Sequence, residues 1–353
     1  MKHIVEKWDG KLHESALWNF YFEGLKIGVL DIETTGLNPA RNKFILGCLF
    51  DVSKGELHQV LAESRAEEPL TLAAYLELID DVDVVVTYNG RKFDMPFIDR
   101  RWLASVNAIN YLKHEENGGM KFRAEGTAVY DLDLYQVLNR HSGLREILPN
   151  LKQKTVEEYM GLWDTRADEI SGAESVELYN HYEATGDSEA EKKILLHNND
   201  DVRQLTRLTG AISKSDFHKA MFSLGFPLKA GDLLLHVKKI CLERDGLAFS
   251  GEQLKSSIDY MGFEFRNQPV TSRFIRAGVS GRNGLFEMKV PVIRQEGYII
   301  IDLQAAGLSA DEFAGYPDSG SGFLVIGGPD GIRYRETNHF IKSFTELFVE
   351  EMI

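Results

Sequence analysis

The chain of 353 residues is 43% hydrophobic and 27% charged, with two cysteines and a net charge of −14. This composition excludes a disulfide scaffold and a disordered chain, and the length predicts two domains. No apolar run reaches the roughly 18 to 20 residues of a membrane span, and residues 1–10 do not resemble a signal peptide. We therefore expect a cytoplasmic protein with no membrane partner, in which Cys48 and Cys241 are buried free thiols rather than zinc ligands.

The negative charge argues against broad, nonspecific binding of polyanions. It is uneven: residues 1–210 contain 24 Lys and Arg against 36 Asp and Glu (net −12), and residues 211–353 contain 16 against 18 (net −2). An acidic protein can still bind a polyanion if metal ions neutralise some of its carboxylates and a local basic strip contacts the ligand. The charge therefore limits the size of a nucleic-acid surface without excluding one.

Strand-like and helix-like segments alternate through the first half of the chain. The predicted strands are residues 25–30, 44–52, 57–61, 82–87 and 128–132, and the predicted helices are residues 70–78, 93–103 and 188–208. Three opening strands followed by alternating helices and strands predict an α/β fold with a mixed sheet flanked by helices.

The pattern changes after Gly210, a residue type that often ends a helix. We place a boundary at 210–216, with domains at 1–210 and 211–353. Strands are predicted at residues 271–276, 285–293, 298–302 and 323–326, and a helix with one apolar face at residues 338–353. The second half is therefore expected to be a smaller, β-rich α+β accessory domain.

Two carboxylates lie at the end of the first predicted strand. Asp31 and Glu33 are two residues apart, so both side chains point to the same face of the strand. Two such carboxylates repel each other unless a cation lies between them, and hard cations prefer oxygen ligands. Strand ends often carry acidic residues, so this pair alone supports a metal site and an ordinary strand end equally.

Two further polar segments follow. Asp94 comes shortly after the strand at 82–87 and begins a predicted helix, where an acidic residue is also common as a favourable N-terminal charge. His197 and Asp201 lie one turn apart on the long helix, on the face that continues to Leu205 and Leu208. The alternative interpretation is a solvated acidic patch, but it does not explain why His197 and Asp201 lie on the apolar face of the helix.

The motifs DIETTGL, NGxxFDxP and HNxxDV, in this order and at these separations, resemble those of the DEDD exonuclease superfamily. The match is closest to the YprB-like ribonuclease-H-like group of bacteria and archaea, and the segment from Asp168 to Asp187 resembles that group as well. The resemblance covers roughly residues 25–210. It implies a ribonuclease-H-like fold and a 3′–5′ exonuclease that acts on single-stranded DNA or RNA.

The resemblance also implies roles for individual residues. Asp31, Glu33, Asp94 and Asp201 would bind two Mg²⁺ or Mn²⁺ ions, and His197 would orient or deprotonate the attacking water. In addition, the matched positions imply contacts with the substrate for Thr35, Leu37 and Asn89.

One feature departs from the pattern of the superfamily. Members that use a histidine base usually have four residues between it and the last aspartate, whereas only three separate His197 from Asp201. That is the spacing of the branch that uses tyrosine. The spacing of one helical turn still keeps the pair together, so the branch is less certain than the superfamily.

The sequence leaves the roles of two other features undecided. Asp131 or Asp133 is either a supporting carboxylate or an ordinary strand-end or helix-cap residue. Between residues 265 and 294, six basic residues stand against Glu287 alone, interleaved with Phe265, Phe274 and Phe286. These define either a strand-binding surface or, more commonly, core phenylalanines among surface arginines.

Two other functions remain possible at this point. A nucleic-acid-binding protein with a vestigial nuclease fold needs no metal, and four intact carboxylates argue against it. A structure-specific endonuclease on a related fold differs in whether its cleft accepts internal positions of a strand.

Overall fold

The computed structural model describes residues 1–113, 127–162, 165–168, 170–278 and 283–353. The chain divides into two compact units, Met1–Ser215 and Asp216–Ile353. The division into domains at residues 1–210 and 211–353 remains a prediction from the sequence. No helix in the described ranges is long and apolar enough to cross a membrane.

The first unit contains a six-stranded sheet in the order β1-β4-β3-β2-β5-β6. The strands are β1 (Lys2–Lys7), β2 (Ile27–Thr34), β3 (Phe44–Asp51), β4 (Glu56–Leu61), β5 (Val84–Thr87) and β6 (Tyr130–Asp133). Strands β2, β5 and β6 are parallel, whereas β1, β4, β3 and β2 pair in antiparallel fashion. The predicted mixed sheet is therefore confirmed.

Helices cover this sheet. They are α1 (Ala16–Phe22), α2 (Glu68–Asp80), α3 (Asp94–Lys113), α4 (Leu134–His141), α5 (Leu144–Ile147), α6 (Gln153–Tyr159), α7 (Gly172–Thr185) and α8 (Ser188–Leu208). Leu30 and Ile32 of β2 pack in the same apolar cluster as residues of α2 and α3, whereas Ile45 of β3 packs with residues of α7 and α8. Because strand side chains alternate, Asp31 and Glu33 face α7 and α8.

Strand β1 has no counterpart among the predicted strands. It pairs with β4 at the edge of the sheet, and most of its side chains are exposed. An edge strand of this kind is held by backbone hydrogen bonds and needs no apolar run, so hydrophobic periodicity does not reveal it.

The second unit is built around a sheet in the order β10-β11-β12-β9-β8-β7 and a smaller one in the order β13-β14-β15-β16. Its strands are β7 (Phe226–Ala230), β8 (Leu233–Leu242), β9 (Gly246–Leu254), β10 (Tyr260–Gly262), β11 (Thr271–Ile275), β12 (Gly284–Pro291), β13 (Ile293–Gln295), β14 (Tyr298–Asp302), β15 (Phe323–Gly328) and β16 (Gly331–Ile332), and its helices are α9 (Phe217–Leu224) and α10 (Tyr334–Met352). The predicted β-rich α+β character is confirmed.

The interleaved phenylalanines of this unit belong to its core. Phe265, Phe274 and Phe286 are buried at 2% exposure or less, and rings of Phe265 and Phe274 contact Phe348 of α10. They are therefore not available for stacking on bases, which confirms the simpler of the two interpretations. Residues 280–282 of the predicted basic segment, including Arg282, lie outside the described residues.

The prediction for one of the two cysteines is wrong. Cys48 is buried as expected, whereas Cys241 is exposed. It lies near the end of β8, where side chains alternate between the core and solvent, and its position falls on the solvent side.

Gly251 marks a close approach between β8 and β9, beside an irregularity in their pairing. A Cβ atom at this position would lie 1.8 Å from the backbone oxygen of His236. We expect Gly251→Ala to lower the free energy of unfolding by about 1–3 kcal/mol, because the backbone must shift to accept the methyl group. Urea denaturation measures this change.

Gly320→Ala is the matched control for this substitution, because a Cβ atom there meets no atom within 4 Å. A loss of stability in Gly251→Ala no greater than in Gly320→Ala would contradict the close approach.

Candidate active site

The carboxylates of β2 meet two helices. Asn198 Nδ2 of α8 donates to Asp31 Oδ2 at 2.8 Å, and Ser175 Oγ of α7 donates to Glu33 Oε2 at 3.1 Å. Glu33 is 7% exposed. Both predicted carboxylates are thus held at the end of β2 by polar partners on the α7 and α8 face.

The parallel strands β2, β5 and β6 end at the same edge of the sheet, which brings the second motif to the first. Asp94 is the first residue of α3, shortly after β5, and is 5% exposed. Thr87 Oγ1, the last residue of β5, donates to Asp131 Oδ1 of β6 at 2.7 Å. Burial raises the pKa of Asp94, and the charge of the buried Asp131 raises it further.

Asp133 has a structural role. Its side chain caps the N-terminus of α4 and accepts hydrogen bonds from the backbone amides of Asn89 (2.9 Å) and Gln136 (3.1 Å). The helix-cap interpretation is therefore confirmed for Asp133.

Helix α8 supplies the third motif. His197 Nε2 lies 3.5 Å from Glu33 Oε1 and 3.7 Å from Asp201 Oδ2. Ligand atoms of Glu33, His197 and Asp201 all lie within 4.8 Å of one another. His197 is buried, whereas the Asp201 side chain is 20% exposed and faces a cleft.

A short segment, residues 165–168, completes the site, and periodicity gives no sign of it. Arg166 Nη1 lies 2.6 Å from Asp201 Oδ1 and 2.9 Å from Asp168 Oδ2. Asp168 Oδ2 also lies 3.0 Å from His197 Nδ1, a close ion-pair contact in which the ring N–H is not aligned with the oxygen. The only sequence signal was that the segment beginning at Asp168 belongs to the resemblance.

The cleft at this edge has a volume of about 430 Å³. Its lining comes from β2, the segment that follows it, and α6 to α8, and it includes Asp31, Glu33, Leu37, Lys152, Lys154, His197 and Asp201. Leu37 is 82% exposed, so a large apolar side chain is presented to solvent beside the carboxylates.

Two of the residues predicted to contact the substrate, Thr35 and Asn89, make hydrogen bonds within their own segments. Thr35 Oγ1 accepts a hydrogen bond from the Lys43 amide at 2.9 Å, which closes the segment after β2. Asn89 adopts a φ of 70°, and its carbonyl accepts the amides of Lys92 and Phe93 in the turn before α3. Neither residue is part of the cleft lining in the described chain.

Burial and mutual repulsion raise the pKa values of these carboxyl groups. Burial raises the pKa of Asp31 well above its ordinary value, and Asp201, Asp94 and Glu33 raise it further. Burial likewise raises the pKa of Glu33 to about 7, although His197 opposes this effect, and burial with Asp131 raises the pKa of Asp94 to about 8. Four carboxyl groups converge here, and Arg166 contacts one of them, Asp201.

The residues fit a divalent cation. Carboxylate oxygens are the donors that Mg²⁺ and Mn²⁺ prefer, and an added cation would offset the repulsion that raises the pKa values. Oxygens of Glu33 and Asp201 lie within 4.8 Å of each other and could ligate one ion, and Asp31 and Asp94 lie beside them.

A sequence model of the RNase H superfamily matches residues 29–213, which is more than half of the chain and includes every residue of the cleft. The chain belongs to the RNase H superfamily. The predicted ribonuclease-H-like fold is thereby confirmed, and it is a fold of nucleases whose members generally use divalent metal ions.

Two relatives match from Methanocaldococcus jannaschii. An uncharacterized protein is 25% identical over 182 residues, which cover 51% of this chain and 91% of that protein. A DNA polymerase is 27% identical over 132 residues, which cover 33% of this chain but 8% of the polymerase. A solved family B DNA polymerase from Pyrobaculum calidifontis is 21% identical with a TM-score of 0.40, covering 60% of this chain and 28% of that chain. This member of the RNase H superfamily therefore spans only a small part of either polymerase.

The raised pKa values predict how stability depends on pH. A carboxyl group whose folded pKa lies above its unfolded value stabilises the fold at low pH, and this contribution is lost as the pH rises through the folded pKa. That range extends from pH 4.5 to about pH 7 for Glu33 and from pH 3.8 to about pH 8 for Asp94. We expect the melting temperature in EDTA to fall between pH 6 and pH 8.5, and the fall to be smaller with Mn²⁺ present.

Differential scanning calorimetry at matched ionic strength measures both curves. An Asp31→Asn variant should show a shallower decline in EDTA, because one of the repelling carboxylates is gone. Equal slopes with and without Mn²⁺ would show that the carboxylates do not bind the ion.

Proposed function

We propose that this protein is a metal-dependent 3′–5′ exonuclease that hydrolyses phosphodiester bonds in single-stranded DNA or RNA by a two-metal mechanism. We also propose that it belongs to the DEDD branch of its superfamily, close to the YprB-like group. The observation that carries the proposal is the convergence of Asp31, Glu33, Asp94 and Asp201 with His197 at one edge of the sheet, beside an open cleft.

Each residue has a chemical role in this proposal. Asp31, Glu33, Asp94 and Asp201 would hold two Mg²⁺ or Mn²⁺ ions, which when bound supply an activated water and stabilise the leaving 3′ oxygen. His197 presents Nε2 toward Glu33 and Asp201, where it would accept a proton from the attacking water. Because only three residues separate His197 from Asp201, it occupies the position of the tyrosine-type branch.

The cleft lining supports a nucleotide chain as substrate. Leu37 is exposed at the cleft and would pack against the terminal base, and Lys152 and Lys154 are cationic side chains that would contact phosphates. In a protein with a net charge of −14, this pair of lysines would supply local positive charge for the phosphates. For Thr35 and Asn89, we propose that they shape the segments beside the substrate.

The decisive experiment is product analysis on matched oligonucleotides labelled at the 3′ or the 5′ end, as DNA and as RNA, with Mg²⁺, Mn²⁺ or EDTA. We expect metal-dependent release of mononucleotides from the 3′ end. A circular single strand is the control, because an exonuclease leaves it intact and an endonuclease cuts it. Binding of oligonucleotides without hydrolysis under every metal condition would support a vestigial nuclease fold instead.

A further inference from the structure

Hydrogen bonds inside the protein occupy one oxygen of each carboxylate at the end of β2. Asn198 Nδ2 donates to Asp31 Oδ2 at 2.8 Å, and Ser175 Oγ donates to Glu33 Oε2 at 3.1 Å. Both donor residues are completely buried, at 0% exposure, so bulk water does not compete for these bonds. The other oxygens, Asp31 Oδ1 and Glu33 Oε1, accept no hydrogen bond from the residues that the structure describes.

The same arrangement recurs at Asp201 of α8. Arg166 Nη1 donates to its Oδ1 at 2.6 Å, and the guanidinium makes further hydrogen bonds with Glu157 (2.9 and 3.1 Å) and Asp168 (2.9 Å). Arg166 is therefore fixed from several sides, with its side chain 8% exposed. Within the described part of the chain, Asp201 Oδ2 accepts no hydrogen bond, and it lies 3.7 Å from Nε2 of His197, which also lines the cleft.

A carboxylate with one oxygen held in this way offers a single oxygen to a cation. Mg²⁺ is satisfied by single oxygens in a small octahedral shell at about 2.0–2.1 Å, whereas Ca²⁺ takes roughly six to eight ligands and often both oxygens of a carboxylate. To bind Asp31, Glu33 or Asp201 through both oxygens, Ca²⁺ would have to break a hydrogen bond that the protein makes itself. Each such bond therefore disfavours Ca²⁺ and leaves the binding of Mg²⁺ unaffected.

We propose that Asn198, Ser175 and Arg166 are specificity-determining residues that restrict these carboxylates to single-oxygen contacts and so select Mg²⁺ over Ca²⁺. The inference rests on the proposed function, since that function assigns the carboxylates to the metal ions. Each of the three residues is a positioning residue, because it acts through the carboxylate that it holds. Asn198 and Ser175 are neutral, so their effect on the choice of ion is separable from any change in the charge of the site.

The test compares the affinities for Mg²⁺ and Ca²⁺ in the full chain without nucleic acid. Each ion is titrated against bound Mn²⁺, and the free Mn²⁺ is followed by electron paramagnetic resonance. We expect the unmodified protein to bind Mg²⁺ at least as tightly as Ca²⁺. In Ser175→Ala and in Asn198→Ala, the affinity for Ca²⁺ relative to Mg²⁺ should rise by about fivefold, the factor that corresponds to the net contribution of one hydrogen bond. Arg166→Lys keeps the charge but loses the planar fork, and it should raise the ratio as well.

Ser105→Ala and Asn199→Ala are the matched controls. Ser105 is a buried serine of α3 whose hydroxyl donates to the backbone oxygen of Arg101 at 2.9 Å. Asn199 follows Asn198 on α8, but its side chain donates to Glu6 at 3.4 Å. Neither substitution removes a donor from the carboxylate cluster, so neither should change the ratio of the two affinities.

A double substitution separates this role from a general loosening of the site. If Ser175 acts through Glu33, adding Ser175→Ala to Glu33→Gln leaves the ratio of affinities unchanged. Tighter binding of Ca²⁺ than of Mg²⁺ by the unmodified protein, or an unchanged ratio in either folded alanine variant, would overturn the inference without bearing on hydrolysis. Conversely, bound metal without hydrolysis of any oligonucleotide would overturn the proposed function alone, and no binding of Mn²⁺ would overturn both.

Discussion

Asp31→Asn is expected to lower nuclease activity by on the order of 10³-fold or more while making the metal-free protein more stable to heat. The loss follows from removing a charged ligand from the centre of the carboxylate cluster. The gain in stability follows because burial, Asp201, Asp94 and Glu33 all oppose the charge of Asp31, and a neutral amide is not subject to that repulsion. Steady-state hydrolysis and a thermal melt in EDTA measure the two effects.

The opposite signs of these effects exclude trivial unfolding as the cause of inactivity. Asp9→Asn serves as the control, because it makes the same chemical change at an exposed position and should alter neither quantity. If Asp31→Asn retained more than about a tenth of the activity, Asp31 would not be an essential ligand.

Glu68→Ala is expected to lower the free energy of unfolding by about 3–5 kcal/mol, the usual cost of leaving a buried charge without its partner. Glu68 is 1% exposed and accepts hydrogen bonds from Arg101 Nε (2.6 Å), Lys43 Nζ (2.8 Å) and the Phe44 amide (2.9 Å). Its removal takes away the carboxylate that the Arg101 guanidinium, at 9% exposure, contacts in the described part of the chain. Urea denaturation at pH 7 measures the difference.

The pKa of Glu68 also predicts how the stability of the protein responds to acid. Burial opposes the charge of Glu68, but its bonds with Arg101 and Lys43 outweigh this and bring its pKa below the ordinary value. Its contribution is therefore present above about pH 4.5 and is lost as the pH falls. Glu77→Ala on the same helix is the matched control, because Glu77 is exposed and should change stability by less than about 0.5 kcal/mol.

The sequence predicts the interior of the sheet well and its margins poorly. Buried strands such as β5 are continuous apolar runs, and their residues 84–87 fall within the predicted 82–87. Strand β1 has no such run, and strands β7 to β9 of the second unit are also absent from the prediction. None of these strands has a distinctive sequence pattern before its partner strand is known. Pairing across distant segments, rather than local preference, decides those elements.

The candidate site shows the same division. Asp31, Glu33 and His197 could be predicted because each belongs to a compact motif on a regular element. Arg166 and Asp168 could not, because they lie in an irregular segment and their significance depends on the contacts of Arg166 with Asp201 and of Asp168 with His197. The exposure of Leu37 and the inward hydrogen bond of the Thr35 hydroxyl likewise depend on how the segment after β2 turns.

The cluster of carboxylates is assembled from residues 31, 33, 94 and 201, with α8 supplying the last of them near its C-terminal end. During synthesis, the ribosome must therefore extend the chain beyond residue 201 by at least the length of its exit tunnel before the cluster can close. A nascent chain halted earlier would carry Asp31, Glu33 and Asp94 without their partner on α8. Any metal-dependent activity of this cluster can therefore arise only after the first unit is nearly complete.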